Sequence, residues 1–298
     1  MSQKIKIMIL GGARENGKNM YTVQVEDEIF IMDAGLKYPD SSLLGIDVVI
    51  PDLDFFRDYG DKIAGIFLTH GHADSIGALP YILRDYDIPV FGSKLTIELA
   101  KIAVQRENRR RKNDLFHVID ADTEIEFKNA NVSFFKTTHS IPDSLGIDIS
   151  TKEGEIVYTG DFKFDPSAKD GFRTDFVRLS EIAQKGVLAL LSDSTNAEAN
   201  FPNDRQTSIE KYIFNIFENY DGRIIAAAKA SNIVRVQEIF QAAAATGRHV
   251  FLTGRDAGKI VYTAMKLGYL NVPKGLLVHS KDLKKIPDKE LVILETGR

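Results

Sequence analysis

Three potential metal ligands, His70, His72 and Asp74, alternate within Thr69-His70-Gly71-His72-Ala73-Asp74-Ser75, directly behind the apolar run Ile66-Phe67-Leu68. A chain carrying this segment must end a strand at a glycine-containing loop and aim polar side chains at one point, since every second residue of an extended segment faces the same way. Imidazole nitrogen and carboxylate oxygen suit zinc and manganese. The residues Ile76-Gly77-Ala78-Leu79 that follow predict the start of a helix that packs the loop down. There is no cysteine, so disulfides and thiolate sites are excluded and any metal rests on His, Asp or Glu.

With 298 residues the chain fits two domains or one large layered one, and 44% hydrophobic with 27% charged residues is ordinary for a soluble protein. No N-terminal apolar segment resembles a signal peptide and no run is long enough to span a bilayer, so the expectation is a cytoplasmic enzyme without a membrane partner. The net charge of −4 gives no overall attraction for nucleic acid. An RNA substrate would need a local basic channel.

Along the first third, Lys4–Leu10, Tyr21–Val25 and Ile29–Met32 are short β-rich segments separated by turn signals at Gly11-Gly12 and Glu26-Asp27, which predicts a meander. From Ile63 the pattern becomes strand, loop, helix: Ile63–Thr69 then Ile76–Tyr86, and Pro89–Gly92 then Leu95–Val104. Strand signals return at Val132–Phe135, Ile147–Ser150 and Ile156–Tyr158. In the last third, apolar strands Val187–Leu191, Ile224–Ala228, Val250–Leu252 and Leu291–Leu294 alternate with helical stretches such as Ile233–Ala245, an α/β unit with a parallel sheet. Asn200-Phe201-Pro202-Asn203-Asp204 reads as a linker between the halves.

Two further elements offer ligands just beyond strand ends: His139 in Thr137-Thr138-His139-Ser140, and Asp161 in Tyr158-Thr159-Gly160-Asp161. Alone, a histidine such as His139 is more often a satisfied core or surface residue than a ligand, and Asp161 after a glycine is also what an ordinary turn looks like. Four such elements in order, each at a strand end, are far more specific than any one of them.

The order His-x-His-x-Asp, then His, then Asp resembles the metallo-β-lactamase fold. It is most similar to the ribonuclease J family, whose metallo-β-lactamase domain carries an inserted β-CASP domain. The supporting segments are Gly11-Gly12 with Glu15-Asn16-Gly17-Lys18-Asn19, Asp33-Ala34-Gly35-Leu36, Thr138-His139-Ser140-Ile141-Pro142-Asp143-Ser144, Gly160-Asp161-Phe162-Lys163-Phe164-Asp165, Ser192-Asp193-Ser194-Thr195-Asn196-Ala197 and Ala230-Ser231-Asn232-Ile233. The resemblance covers essentially the whole chain and implies an α/β fold, an αββα sandwich over residues 1–201 with part of a β-CASP α/β domain over 202–298. It further implies a metal-dependent ribonuclease, exo- or endonucleolytic, acting in RNA processing and decay.

Carried over residue by residue, the resemblance gives one divalent metal, zinc or manganese, to His70, His72 and His139. It gives a second to Asp74 and the residue after it, with Asp161 between the two, and makes Asp74 and Asp161 catalytic. The sequence departs from the family at that next residue, where Ser75 replaces a histidine. A neutral hydroxyl is a poor ligand beside imidazole or carboxylate. Two metals about 4 Å apart clamp both the attacking and the leaving oxygen of a displacement at phosphorus. Losing a ligand of the second should cost about 10–100-fold, roughly 1.4–2.7 kcal/mol. The expectation is a slow nuclease, similar to the low-activity paralogue that some bacteria keep beside a more active ribonuclease J and that associates with it. The alternative is a structural partner of that active paralogue in a heteromer, its own site a relic.

Where active members usually carry a histidine after the Ala230–Ile233 segment, this chain has Val234. Ser231 and Asn232 sit between a strand and a helix, where backbone N–H groups and the helix dipole favour a phosphate, and the resemblance places them on the RNA-facing surface. They also suit a plain helix cap. The basic run Arg106, Arg109, Arg110, Arg111 and Lys112 could touch phosphates, though such a run is most often a solvated surface. Gly11-Gly12 and Gly17 fail the dinucleotide spacing and suit a turn beside the metals, while Asp33 and Asp193 suit support of the ligands. In the family the final metal histidine and an oligomerisation domain lie beyond the point matching Arg298. On that reading the chain is a truncated piece of a homo- or hetero-oligomeric protein, inactive as a fragment and with little metal bound.

Overall fold

A computed structural model describes residues 2–40, 43–107, 113–165, 168, 172–198, 205–254 and 256–297. The segment 200–204 and the basic residues Arg109, Arg110, Arg111 and Lys112 lie outside the described residues. The chain divides into two compact units, one of Met1–His139 with Asp143–Ala197, the other of Ser140–Pro142 with Glu198–Arg298.

The first unit begins with a meander of β1 (Ile5–Gly11), β2 (Met20–Val25) and β3 (Glu28–Met32), paired antiparallel. It then changes to parallel pairing through β4 (Ile63–Phe67), β5 (Val90–Gly92) and β6 (Phe116–Val118), which sit in sequence order in the same sheet. Parallel neighbours need crossovers, and α1 (Asp54–Tyr59), α2 (Ala73–Ile76), α3 (Leu79–Asp85) and α4 (Lys94–Glu107) supply them. A second sheet is ordered β11-β10-β9-β8-β7, from β7 (Glu124–Glu126), β8 (Asn131–Lys136), β9 (Leu145–Thr151), β10 (Gly154–Tyr158) and β11 (Val187–Leu191). Its pairs are antiparallel except β10 with β11, which α5 (Phe176–Lys185) connects.

Alternation along the strands sends one face of each sheet into a shared core. Val23, Phe30, Met32 and Phe67 from the first sheet pack with Val132, Phe134, Ile147, Ile149 and Ile156 from the second. Each such side chain contributes about 1.5–3 kcal/mol by leaving water. On the outer faces α4 packs against β5 and β6, and Ile182 and Leu179 of α5 cover Phe135 and Val157. The order of layers is therefore helix, sheet, sheet, helix.

In the second unit α6 (Arg205–Asn219), α7 (Ile233–Ala245) and α8 (Ala257–Lys266) accompany a parallel sheet. Its strands are β12 (Ile224–Ala227), β13 (His249–Thr253) and β14 (Leu291–Glu295), with β14 in the middle. Leu291, Val292 and Leu294 are buried as the central strand requires.

Three expectations are corrected. Val187–Leu191, grouped above with the parallel sheet of the last third, pairs with β10 in the first unit; an apolar strand with a parallel neighbour reads the same in either sheet. The helix expected over Ile76–Tyr86 breaks at Gly77-Ala78, where α2 stops and α3 restarts. The strand expected to run to Thr69 ends at Phe67. No helix among the described residues is long and apolar enough to cross a membrane.

Candidate metal centre

The ends of β4, β8 and β10 in the first unit bring His70, His72, His139, Asp74 and Asp161 together. The ligand atoms of His70, His72 and His139 lie within 4.8 Å of one another, as do those of His70, Asp74 and Asp161. Ring centroids of the three histidines are 4.8–5.0 Å apart. His139 Nε2 approaches His72 Nδ1 to 3.2 Å. Asp161 Oδ2 stands 3.9 Å from both His70 Nε2 and His139 Nε2, and Asp74 Oδ1 is 3.6 Å from His70 Nε2.

This convergence does not come from alternation along an extended segment, as the spacing suggested. After Phe67 the chain turns, His72 is the extended N-cap of α2, and Asp74 lies in the first turn of that helix, which brings its Oδ1 to 3.6 Å from His70 Nε2. The short helix is tied down through its own backbone. Ala34 N–H donates to Ser75 O (2.8 Å), Leu36 N–H to Ala73 O (2.9 Å) and Asn19 N–H to Asp74 O (3.0 Å). Gly35 permits this approach, because a Cβ there would lie 1.5 Å from the Asp74 carbonyl oxygen. At the end of β10, Gly160 has φ +57° and a Cβ on it would meet Thr69 Cβ at 2.7 Å. Both glycines are thus demanded by close packing around the cluster.

Behind His70 lies a buried network that the sequence reading did not assemble. Asp33, fully buried at φ 60°, accepts the Thr69 backbone N–H at 2.8 Å, the Thr69 hydroxyl at 2.9 Å and the Tyr158 hydroxyl at 2.9 Å. The Thr69 hydroxyl proton is committed to Asp33, so its oxygen accepts from His70 Nδ1 at 2.9 Å. Ser75, also fully buried, places its hydroxyl 3.3 Å from the same Nδ1. Nδ1 therefore carries the proton of the neutral ring and Nε2 carries the lone pair. Thr69 and Tyr158 went unread because each looks like an ordinary strand-end residue; Thr69, directly preceding His70, is the one adjacency that could have flagged it.

Burial shifts the site's acids and bases. It raises the Asp33 carboxyl to about 7 against the pull of His70 and the Thr69 and Tyr158 hydrogen bonds. It raises Asp161 to about 6, with His70 lowering and the charges of Asp74 and Asp193 adding to the rise. Burial lowers His139 to about 2, helped by its neighbours His70 and His72. At His70 burial also works downward, but the Asp74 carboxylate 3.6 Å from Nε2 and the charges of Asp161 and Asp33 prevail and raise it.

A cation fits this donor set. His70 Nε2 is buried, faces the cluster and makes no hydrogen bond, a costly arrangement unless something accepts its lone pair. Three imidazoles with carboxylates beside them are the kind of donor set that a divalent ion needs. Asp193 donates its N–H to Thr159 Oγ1 (3.1 Å) and accepts Thr195 N–H on Oδ1 (2.8 Å), shaping the loop after β11. In the second unit Asn232 caps α7, its side chain accepting Arg235 N–H at 3.0 Å, and Ser231 precedes it with its carbonyl accepting Ile233 N–H at 2.9 Å.

The sequence matches two family descriptions: the metallo-beta-lactamase superfamily over residues 13–210 and the ribonuclease J beta-CASP domain over 221–298. A protein of Streptococcus pyogenes named ribonuclease J 2 is 55% identical over 295 residues, which are 99% of this chain and 53% of that protein. Proteins of the same name from Staphylococcus epidermidis and Staphylococcus aureus are 44% identical over 296 residues, again 99% of this chain and 53% of theirs. The chain thus spans about half the length of the curated relatives it matches. A crystal structure of a protein of unknown function from Enterococcus faecalis superposes with TM-score 0.67 at 15% identity, covering 98% of this chain and 77% of that one, a likeness of fold alone.

Proposed function

The chain belongs to the metallo-β-lactamase superfamily, on its ribonuclease J branch, and from that premise we propose that it is part of a weakly active, metal-dependent ribonuclease working in RNA processing and decay in the cytoplasm. Its domains on this reading are a metallo-β-lactamase domain over 1–201 and part of a β-CASP domain over 202–298. The observation that carries the proposal is the His70 Nε2 lone pair, buried, oriented and without a hydrogen bond at the centre of three imidazoles and two carboxylates.

His70, His72 and His139 would hold one divalent ion, zinc or manganese, with Asp161 beside it and Asp74 facing the weaker second position. When bound, such an ion supplies Lewis acidity, drawing charge from a phosphoryl oxygen and making a water acidic enough to attack near neutral pH. Asp74 and Asp161 carry the catalytic role. Their carboxylates flank the imidazole cluster, where they orient an entering water and accept its proton. Ser75, whose hydroxyl faces His70, leaves the second position one imidazole short. Ser231 and Asn232 at the α7 N-terminus would meet an RNA phosphate.

RNA decay by the whole protein of which this chain is part, measured with added manganese or zinc, tests this. Slow cleavage that needs the metal and disappears in His72→Ala is expected; a His72→Ala variant as active as the parent rejects it. Ser75 also favours a second reading, in which the protein supports an active ribonuclease J paralogue as its partner in a heteromer. Equal stimulation of the paralogue by parent and His72→Ala chains would select that reading.

A further inference from the structure

We propose that Ser75 is a positioning residue for His70, its hydroxyl sharing with Thr69 the task of holding the ring in the tautomer that presents Nε2 to the cluster. The proposal deepens the metal-dependent reading above, and takes the position where the family's histidine is missing as one with its own work rather than as a gap.

The geometry assigns that work. Ser75 is fully buried, and its hydroxyl faces His70 Nδ1 at 3.3 Å. Its place is not negotiable, because its backbone is anchored on both sides. Its N–H donates to His72 O at 3.0 Å and its carbonyl accepts Ala34 N–H at 2.8 Å. Thr69 alone gives Nδ1 one acceptor, at 2.9 Å, while its own proton serves Asp33. An imidazole resting on one oxygen can swing about that contact. Two oxygens, one from the end of β4 and one from α2, fix the plane of the ring as well as the site of its proton. Groups that orient a ligating histidine through its other nitrogen typically change metal affinity by 10–100-fold when removed.

The same contact reinterprets restoration of the histidine. A Ser75→His chain gains an imidazole for a second ion and loses the hydroxyl that steadies the first. Its effect on binding of a first ion is therefore expected to be unfavourable even where a second ion binds.

Nitrogen-15 NMR of the histidine rings in the metal-free chain, at about pH 9 where imidazoles are neutral, reads the tautomer directly. The parent is expected to show His70 protonated on Nδ1 alone. Ser75→Ala should show a mixture or an averaged signal, and Ser75→Thr, which keeps a hydroxyl, should restore the parent pattern. Calorimetric titration with manganese should show the first ion bound about tenfold more weakly by Ser75→Ala than by the parent. An unchanged tautomer and unchanged affinity in Ser75→Ala overturns the proposal, as does a parent chain with His70 protonated on Nε2. If this chain binds no manganese, the ring spectra decide the role of Ser75, and metal-dependent RNA decay by the whole protein decides the function proposed above. A Ser75→Ala chain that fails to fold leaves the decision to the parent and Ser75→Thr spectra.

Discussion

Asp33 and Asp148 are both fully buried, and burial lifts both carboxyls to about 7, yet they do opposite things to the molecule. Asp33 is met by the Thr69 N–H, the Thr69 hydroxyl and the Tyr158 hydroxyl, and His70 stands behind them. Asp148, on the face of the second sheet away from the shared core, has Ser133 Oγ at 3.1 Å on one oxygen and meets Glu155 with the other side of its carboxyl. Glu155 is itself buried and is served by Ser150 Oγ at 3.0 Å. Oδ1 of Asp148 and Oε2 of Glu155 accept from no donor. One buried acid organises a site; the other is a cost the sheet bears unless a proton lies between the two carboxyls.

Removing each acid should therefore move stability in opposite directions, and the largest effect is expected at Asp33. Asp33→Ala strands the Thr69 and Tyr158 donors in the interior and places alanine at φ 60°, a conformation glycine adopts freely and alanine does not. Denaturant titration should show a loss of about 3–5 kcal/mol. Loss of less than about 1 kcal/mol would mean that the network is not what holds β4 against β10.

Asp148→Asn should do the reverse. Its amide can donate to Glu155 while its carbonyl accepts from Ser133, so both contacts persist without a borrowed proton. The parent's stability should fall as pH rises between about 4 and 7, because there the native Asp148 keeps a proton that the unfolded chain has released, and level off above that window. The variant should keep only the shallower slope that Asp33 and Asp161 contribute and be more stable at about pH 8 by on the order of 1–3 kcal/mol. A parent whose stability is flat across this window would show that Asp148 is relieved by something other than a proton.

Tyr158→Phe makes a smaller incision, taking one of the three donors from Asp33 and leaving the ring in place against Tyr21. The expected loss is about 1–2 kcal/mol. The Asp33 carboxyl should rise further, since the hydroxyl now lowers it, and stability should then fall more steeply toward neutral pH. An Asp33 titration identical in both chains, followed by carbon-13 NMR, would show that Thr69 alone sets its environment.

These contrasts mark what a sequence can and cannot disclose. His70, His72, Asp74, His139 and Asp161 were legible because ligand-type residues recur beyond apolar runs, and their order is distinctive. The support of His70 was not. Thr69, Ser75 and Tyr158 are common residue types whose meaning arises only when β4, α2 and β10 bring their hydroxyls within 3.3 Å of Nδ1 or Asp33. The sandwich was legible from alternation, but the sheet to which Val187–Leu191 belongs was not, since both sheets offer it a parallel neighbour of the same kind. α6 was overlooked beyond the polar segment 200–204 although Ile209, Ile213 and Ile216 recur at helical spacing.

Asn232 sets the low end of this scale, because its partner is its own helix and its loss touches neither buried acid. As N-cap of α7 it accepts Arg235 N–H at 3.0 Å, a service that aspartate performs as well as asparagine. Asn232→Asp should thus leave thermal unfolding within a few tenths of a kcal/mol of the parent. The added negative charge would still repel a phosphate at the helix N-terminus, so binding of a short single-stranded RNA should weaken several-fold and more so at low salt. Asn232→Ala separates the same two roles from the other side, costing about 1 kcal/mol as a lost cap while adding no charge. If Asn232→Asp binds RNA as well as the parent does, the residue is a cap and nothing more, and the phosphate must be met elsewhere.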